Sequence, residues 1–116
     1  MSNYHDHSKN INELAKQIPN EEIAEEIADI LSVLSDPTRL RILWLLCHTT
    51  ECVTDIGIAI GMSAPAVSHH LKLLKSHKII TSKKDGKEML YTISDNKHAQ
   101  LIHSMIDEML NIKKED

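Results

Sequence analysis

Between Val53 and His77 the chain carries two short apolar stripes at helical spacing, Ile56, Ala59 and Ile60 and then Val67, Leu71 and Leu74, parted only by Gly61-Met62-Ser63. So short a connection forces the second helix to turn sharply away from the first. Glycine supplies the positive φ that ends one helix, and the Ser63 hydroxyl can accept from the free N–H groups that open the next. Pro65 falls in the first turn, where its missing N–H costs nothing. The pattern predicts a helix over 53–60 and another over 63–77, which together make a helix-turn-helix.

The flanking segments complete a small, mainly α fold. Asn20 caps a helix in which Ile23, Ile27, Ile30, Leu31 and Leu34 recur on one face, with acids on the other. Ser35-Asp36-Pro37 stops it and starts a second, running to about Cys47. Beyond the helix-turn-helix, residues 79–83 and 88–93 read as two strands around Lys84-Asp85-Gly86-Lys87, and Asp-Gly is a strong hairpin signal. This hairpin is expected to form a lysine-tipped wing. A last helix over about 96–112 carries Leu101, Ile102, Met105, Ile106, Met109 and Leu110, more apolar surface than one stripe requires. The excess predicts a homodimer formed through the first and last helices. Residues 1–19 read as an N-terminal arm, partly without regular structure; 20–112 as one DNA-binding and dimerisation domain; and 113–116 as a tail.

The net charge of −4 looks unsuited to a polyanion, but the charge is segregated. Residues 1–36 hold eight acids against Lys9 and Lys16, whereas residues 63–87 hold six lysines against Asp85 alone. A basic segment that coincides with a helix-turn-helix and its hairpin fits double-stranded DNA. The start of the chain lacks the apolar core of an export signal, and no apolar run is long enough for a membrane span, so the expectation is a cytoplasmic protein with no membrane partner. In that compartment Cys47 and Cys52 are expected as thiols or metal ligands rather than as a disulfide. His-Glu-x-x-His, a nucleophile elbow and a phosphate-cradling glycine loop are all missing, which argues against an enzyme.

Two segments carry a resemblance. Leu34-Ser35-Asp36-Pro37-Thr38-Arg39-Leu40-Arg41-Ile42-Leu43 and Ser63-Ala64-Pro65-Ala66-Val67-Ser68-His69-His70-Leu71-Lys72-Leu73-Leu74 resemble, in this order, the ArsR/SmtB family of metal-sensing winged helix-turn-helix repressors. The resemblance implies a dimer that binds operator DNA and leaves it when a metal binds. It makes 63–77 the recognition helix, with Ser63, Ala64, Pro65, Ser68 and His69 at base edges and phosphates, Lys72 on phosphate, and Lys83, Lys84 and Lys87 of the wing on the flanking backbone. His70 is read as packing or bonding within the domain. For Arg39 and Arg41, pairing inside the protein and contact with DNA both stand open.

The resemblance also directs attention to Cys52 and Asp55, at the start of the 53–60 helix, where the family often places metal ligands. Three residues apart on a helix, they would share a face. His5 and His7 of the arm would supply the remaining pair, since the arm in such sensors can cross to the partner subunit. Sulfur, oxygen and two imidazole nitrogens suit Zn2+, with Co2+ and Cd2+ as near competitors. The family's other common site, between the C-terminal helices, is short of donors: the matching positions are Asp95, Lys97, Glu108 and Asn111, with His98 and His103 out of register. Thr54 stands where thiophilic sensors carry a second cysteine. Two alternatives accompany this reading: a thiol-based arsenite or redox repressor using Cys47 and Cys52, and a helical dimerisation adaptor that never touches DNA.

Overall fold

A computed structural model of the chain describes residues 7–116, with side chains from Asn10 onward. Its elements are α1 (His7–Ala15), α2 (Glu21–Leu34), α3 (Pro37–His48), β1 (Glu51–Cys52), α4 (Val53–Ile60), α5 (Ala64–Ser76), β2 (Ile80–Asp85), β3 (Glu88–Ile93) and α6 (Lys97–Glu115). The chain divides into two units, residues 1–31 and residues 32–116.

In the first unit, residues 7–15, part of the expected arm, are helical. Ile11, Leu14 and Ile18 recur at i, i+3 and i+7, a helical stripe too short to stand out among its polar neighbours. The Asn20 Oδ1 accepts from the Ile23 N–H at 2.9 Å and caps α2 as expected. The apolar side chains Ile11, Leu14, Ile18, Ile23, Ile27 and Leu31 are all exposed.

The second unit holds the core. Asp36 caps α3 by accepting from the Arg39 N–H at 2.9 Å, and Pro37 takes the first helical position. Ile42, Leu43 and Leu46 of α3 are fully buried, as are Ile56 of α4, Val67 and Leu74 of α5. Each such side chain contributes about 1.5–3 kcal/mol by leaving water. α3 packs against α4, α5, α6 and β3, which makes it the axis of the domain.

The turn between α4 and α5 closes on one glycine carbonyl. Gly61, at φ 82°, and Met62 both donate their N–H to the Gly57 oxygen, at 2.8 and 2.9 Å. A Cβ on Gly57 would stand 2.7 Å from the Met62 backbone oxygen, so the chain can fold back this tightly only with glycine there. Ser63 then caps α5, its Oγ accepting from the Ala66 N–H at 3.4 Å.

The hairpin forms with a register that shifts the expected turn. Asp85 pairs with Glu88, so the two-residue loop is Gly86-Lys87, with Gly86 at φ 63°. β2 therefore runs through Lys84 and Asp85, beyond the expected end at Lys83. A third strand, β1, pairs antiparallel with β3 at Glu51–Tyr91 and Cys52–Leu90, giving the order β1-β3-β2. Two residues hold too little pattern to announce a strand. Asn96 ties α6 to the end of α5: its Oδ1 accepts from the Ala99 N–H at 2.8 Å to cap α6, while its Nδ2 donates to the Lys78 carbonyl at 2.8 Å.

Candidate nucleic-acid interface and metal-ligand clusters

Burial of Val67, Leu71 and Leu74 decides which way α5 faces. Pro65, His69 and Lys72 fall on the side opposite that stripe and Ser68 on its flank, all exposed, with Ser63 and Ala64 exposed at the helix start. The free N–H groups and positive dipole end of α5 sit beside Ser63, an arrangement that favours phosphate. On the wing, Lys83, Lys84 and Lys87 are exposed. Lys83 and Lys84 are consecutive in β2, so the pleat sends them to opposite faces of the hairpin.

Behind that surface the Arg39 guanidinium is spent within the protein. Its Nε donates to the Val33 carbonyl at 2.7 Å, and Nη1 lies 3.3 Å from the His70 Nδ1 and 3.9 Å from an Asp36 carboxylate oxygen. An arginine N–H can only donate, so His70 accepts through Nδ1 and carries its ring proton on Nε2. This places His70 inside the domain's bonding and answers the open question for Arg39. Arg41 is exposed. The Arg39 N–H bond holds the Asp36 carboxyl below its ordinary value, and the nearby charge of Arg39 acts in the same direction.

The expected metal ligands are placed differently from one another. Cys52 is buried, the second residue of β1 and the residue just before α4, so it belongs to a strand rather than to the helix it precedes. Asp55 is exposed in the first turn of α4. His5 lies outside the described residues, as does the side chain of His7. Cys47, on α3, is half-buried, and burial, helped by the Asp107 charge, pushes its thiol up to about 11. At neutral pH it is a protonated thiol, which weakens the reading that pairs it with Cys52 as a thiolate switch.

The structure also assembles a group that local spacing did not announce. His48 at the end of α3 and His103 and Asp107 on α6 bring one potential ligand atom each within 4.8 Å of one another. His103 and Asp107, four apart on one helix, were legible as neighbours. His48 reaches them only because α3 packs on α6. On the same pair of helices Leu40, Trp44, Ile106, Met109 and Leu110 line an apolar groove of about 370 Å³, with Arg41 and Lys113 at its edge.

A tri-helical core whose third helix, α5, is capped at its N-terminus and exposed along one face, with an adjoining lysine-bearing hairpin, defines a winged helix-turn-helix, a DNA-binding fold. Residues 36–82 match the family model of bacterial regulatory proteins of the arsR family. The chain is 37% identical over 83 residues to the arsenical resistance operon repressor of Staphylococcus xylosus, covering 72% of each. Over 91 residues it is 37% identical to a cadmium resistance transcriptional regulatory protein CadC homolog of Staphylococcus aureus, covering 78% of this chain and 71% of that one. The fold superposes with a TM-score of 0.70, at 23% identity, on the homodimeric winged helix-turn-helix DNA-binding domain of Mb0332 from Mycobacterium bovis, covering 78% of this chain and 82% of that. The chain belongs to the arsR family of bacterial regulatory proteins. That family regulates transcription and is not enzymatic. Among the described residues no helix is long and apolar enough to cross a membrane.

Proposed function

We propose that this protein is a cytoplasmic repressor that binds its operator as a homodimer and is released when a transition metal, Zn2+ before Co2+ or Cd2+, binds it. The observation that carries the reading is the exposed face of α5: Ser63, Ala64, Pro65, Ser68, His69 and Lys72 stand free on a helix whose other side is locked in the core. With the wing lysines beside it, this surface suits a major groove and its flanking phosphates.

Dimerisation is supported by apolar surface that a monomer leaves in water. Leu101, Met105, Met109, Leu110 and Ile112 of α6 are exposed, together with Leu40 and Trp44 of α3 and the stripe of α1 and α2. Patches of this extent are the usual mark of a protein interface. The Mycobacterium bovis neighbour is itself homodimeric. A symmetric pair would present two recognition helices to successive turns of DNA.

Metal response is supported by the relatives, whose names speak of arsenical and cadmium resistance. Zinc is the ion that suits the proposed donors: one sulfur from Cys52, one oxygen from Asp55, and the imidazoles of His5 and His7. Metal and DNA would be linked through a dimer geometry that each prefers differently, so each weakens the other by the same free energy. The test is fluorescence anisotropy of the full chain on a duplex from its own upstream region, at two salt concentrations and with added Zn2+. The reading expects duplex affinity that falls about 10³–10⁵-fold between 50 and 200 mM salt, and release by zinc. No duplex affinity would favour the adaptor instead, and release by arsenite or oxidant but not by zinc would favour the thiol switch.

A further inference from the structure

We propose that His48, His103 and Asp107 form a binding site for a divalent transition metal within one protomer, clamping the end of α3 to the middle of α6. The site is separate from the Cys52 and Asp55 set, and its existence does not rest on the proposed release from DNA.

The geometry is nearly that of a ligand sphere. Donor atoms held about 2.0–2.2 Å from a tetrahedral ion stand roughly 3.3 Å from one another. His103 Nε2 and Asp107 Oδ2 already lie 3.2 Å apart, and the His48 nitrogen lies within 4.8 Å of both. The remaining distance is closed by rotation of the His48 side chain, which is exposed at the last turn of its helix.

An ordinary ion pair does not account for the arrangement. The His103 Nε2 is a buried atom with no hydrogen-bond partner among the described residues, although an Asp107 carboxylate oxygen stands 3.2 Å from it. A metal ion lying between nitrogen and carboxylate would satisfy both lone pairs. The two rings are already neighbours: His48 lies against Trp44 at a centroid distance of 4.5 Å, and meets His103 edge to face at 5.4 Å and 87°. Two imidazoles and one carboxylate select zinc, cobalt or nickel over magnesium or calcium, and leave a fourth position for water.

The experiment follows the histidine ring nitrogens of the full chain by ¹H–¹⁵N NMR during titration with zinc sulfate. His48→Gln and His103→Gln assign the signals, and circular dichroism confirms that each variant folds. The proposal expects the His48 and His103 rings to shift together, and expects His48→Gln to weaken the zinc response of His103 by roughly tenfold or more. Rings that stay at their metal-free positions while zinc saturates the chain would overturn it, and so would a His103 response indifferent to His48→Gln. Because His48 is exposed, its substitution decides the matter even if His103→Gln fails to fold. The two proposals fail separately: loss of zinc-driven release in Cys52→Ser leaves the response of His48 and His103 standing, and loss of that response in His48→Gln leaves zinc-driven release standing.

Discussion

Arg39 and His70 tie α3 to the recognition helix: the guanidinium Nη1 donates across 3.3 Å to the imidazole Nδ1, while Nε anchors on the Val33 carbonyl at 2.7 Å. This polar contact adds to the burial of Val67, Leu71 and Leu74 in holding α5. Arg39→Ala should destabilise the domain by about 1.5–3 kcal/mol, the range for hydrogen bonds to a charged group. His70→Ala should cost less, and the double variant less than the sum of the two, because they share one contact. Urea unfolding of the four proteins measures this, and strict additivity would show that the bond carries no energy.

Gly57→Ala should destabilise more than its single methyl suggests. The new Cβ would meet the Met62 carbonyl oxygen at 2.7 Å, a backbone atom that cannot move without opening the turn. The expected loss is about 1–3 kcal/mol, as for overpacking elsewhere. Duplex affinity should fall with it, since the same turn sets the angle of α5.

Stability should carry an acid limb from Asp36. The folded protein holds its carboxyl below the ordinary value of 3.8. A group whose folded pKa is lowered contributes stability that is whole above the unfolded value and lost as pH falls through the folded one. Thermal unfolding of Asp36→Asn should therefore lie below that of the native protein at neutral pH, and the gap should close below pH 3.8. An unchanged gap at lower pH would contradict the charge-based account.

Contacts on α5 should separate into two kinds. Lys72→Ala should weaken binding to every duplex alike and reduce the salt slope by about 1. Ser68→Ala or His69→Ala should instead relax preference at particular base pairs, by about 1–3 kcal/mol where a base edge is read. Competition between operator and scrambled duplex at fixed salt distinguishes these outcomes.

Cys52→Ser and His7→Ala should each leave operator affinity intact without metal and raise the zinc needed for release. The Cys52→Ser protein should also lack the thiolate-to-metal charge-transfer absorption that the proposed site should show when loaded with Co2+. Release at unchanged zinc in both variants would remove these residues from the effector site.

Much of the architecture was legible because it is written in local signals. Asp36-Pro37, Gly61 and Ser63 each act within a few residues, and the structure finds each where its chemistry directs. The hairpin register was less legible by one residue, since Asp85-Gly86 and Gly86-Lys87 both make acceptable two-residue turns. β1 was not legible at all, because a two-residue strand exists only through its partner β3.

The sequence by itself determined the helix-turn-helix, the basic wing and the exposed face of α5, since periodicity fixes which side of a helix is apolar before any neighbour is known. Only the tertiary structure decided that Arg39 would bond to His70, that Cys52 would be buried in a strand, and that His48 would meet His103 and Asp107. The partners lie far apart along the chain, and what joins them is the packing of α3 against α5 and α6 and the pairing of β1 with β3, which no local spacing records.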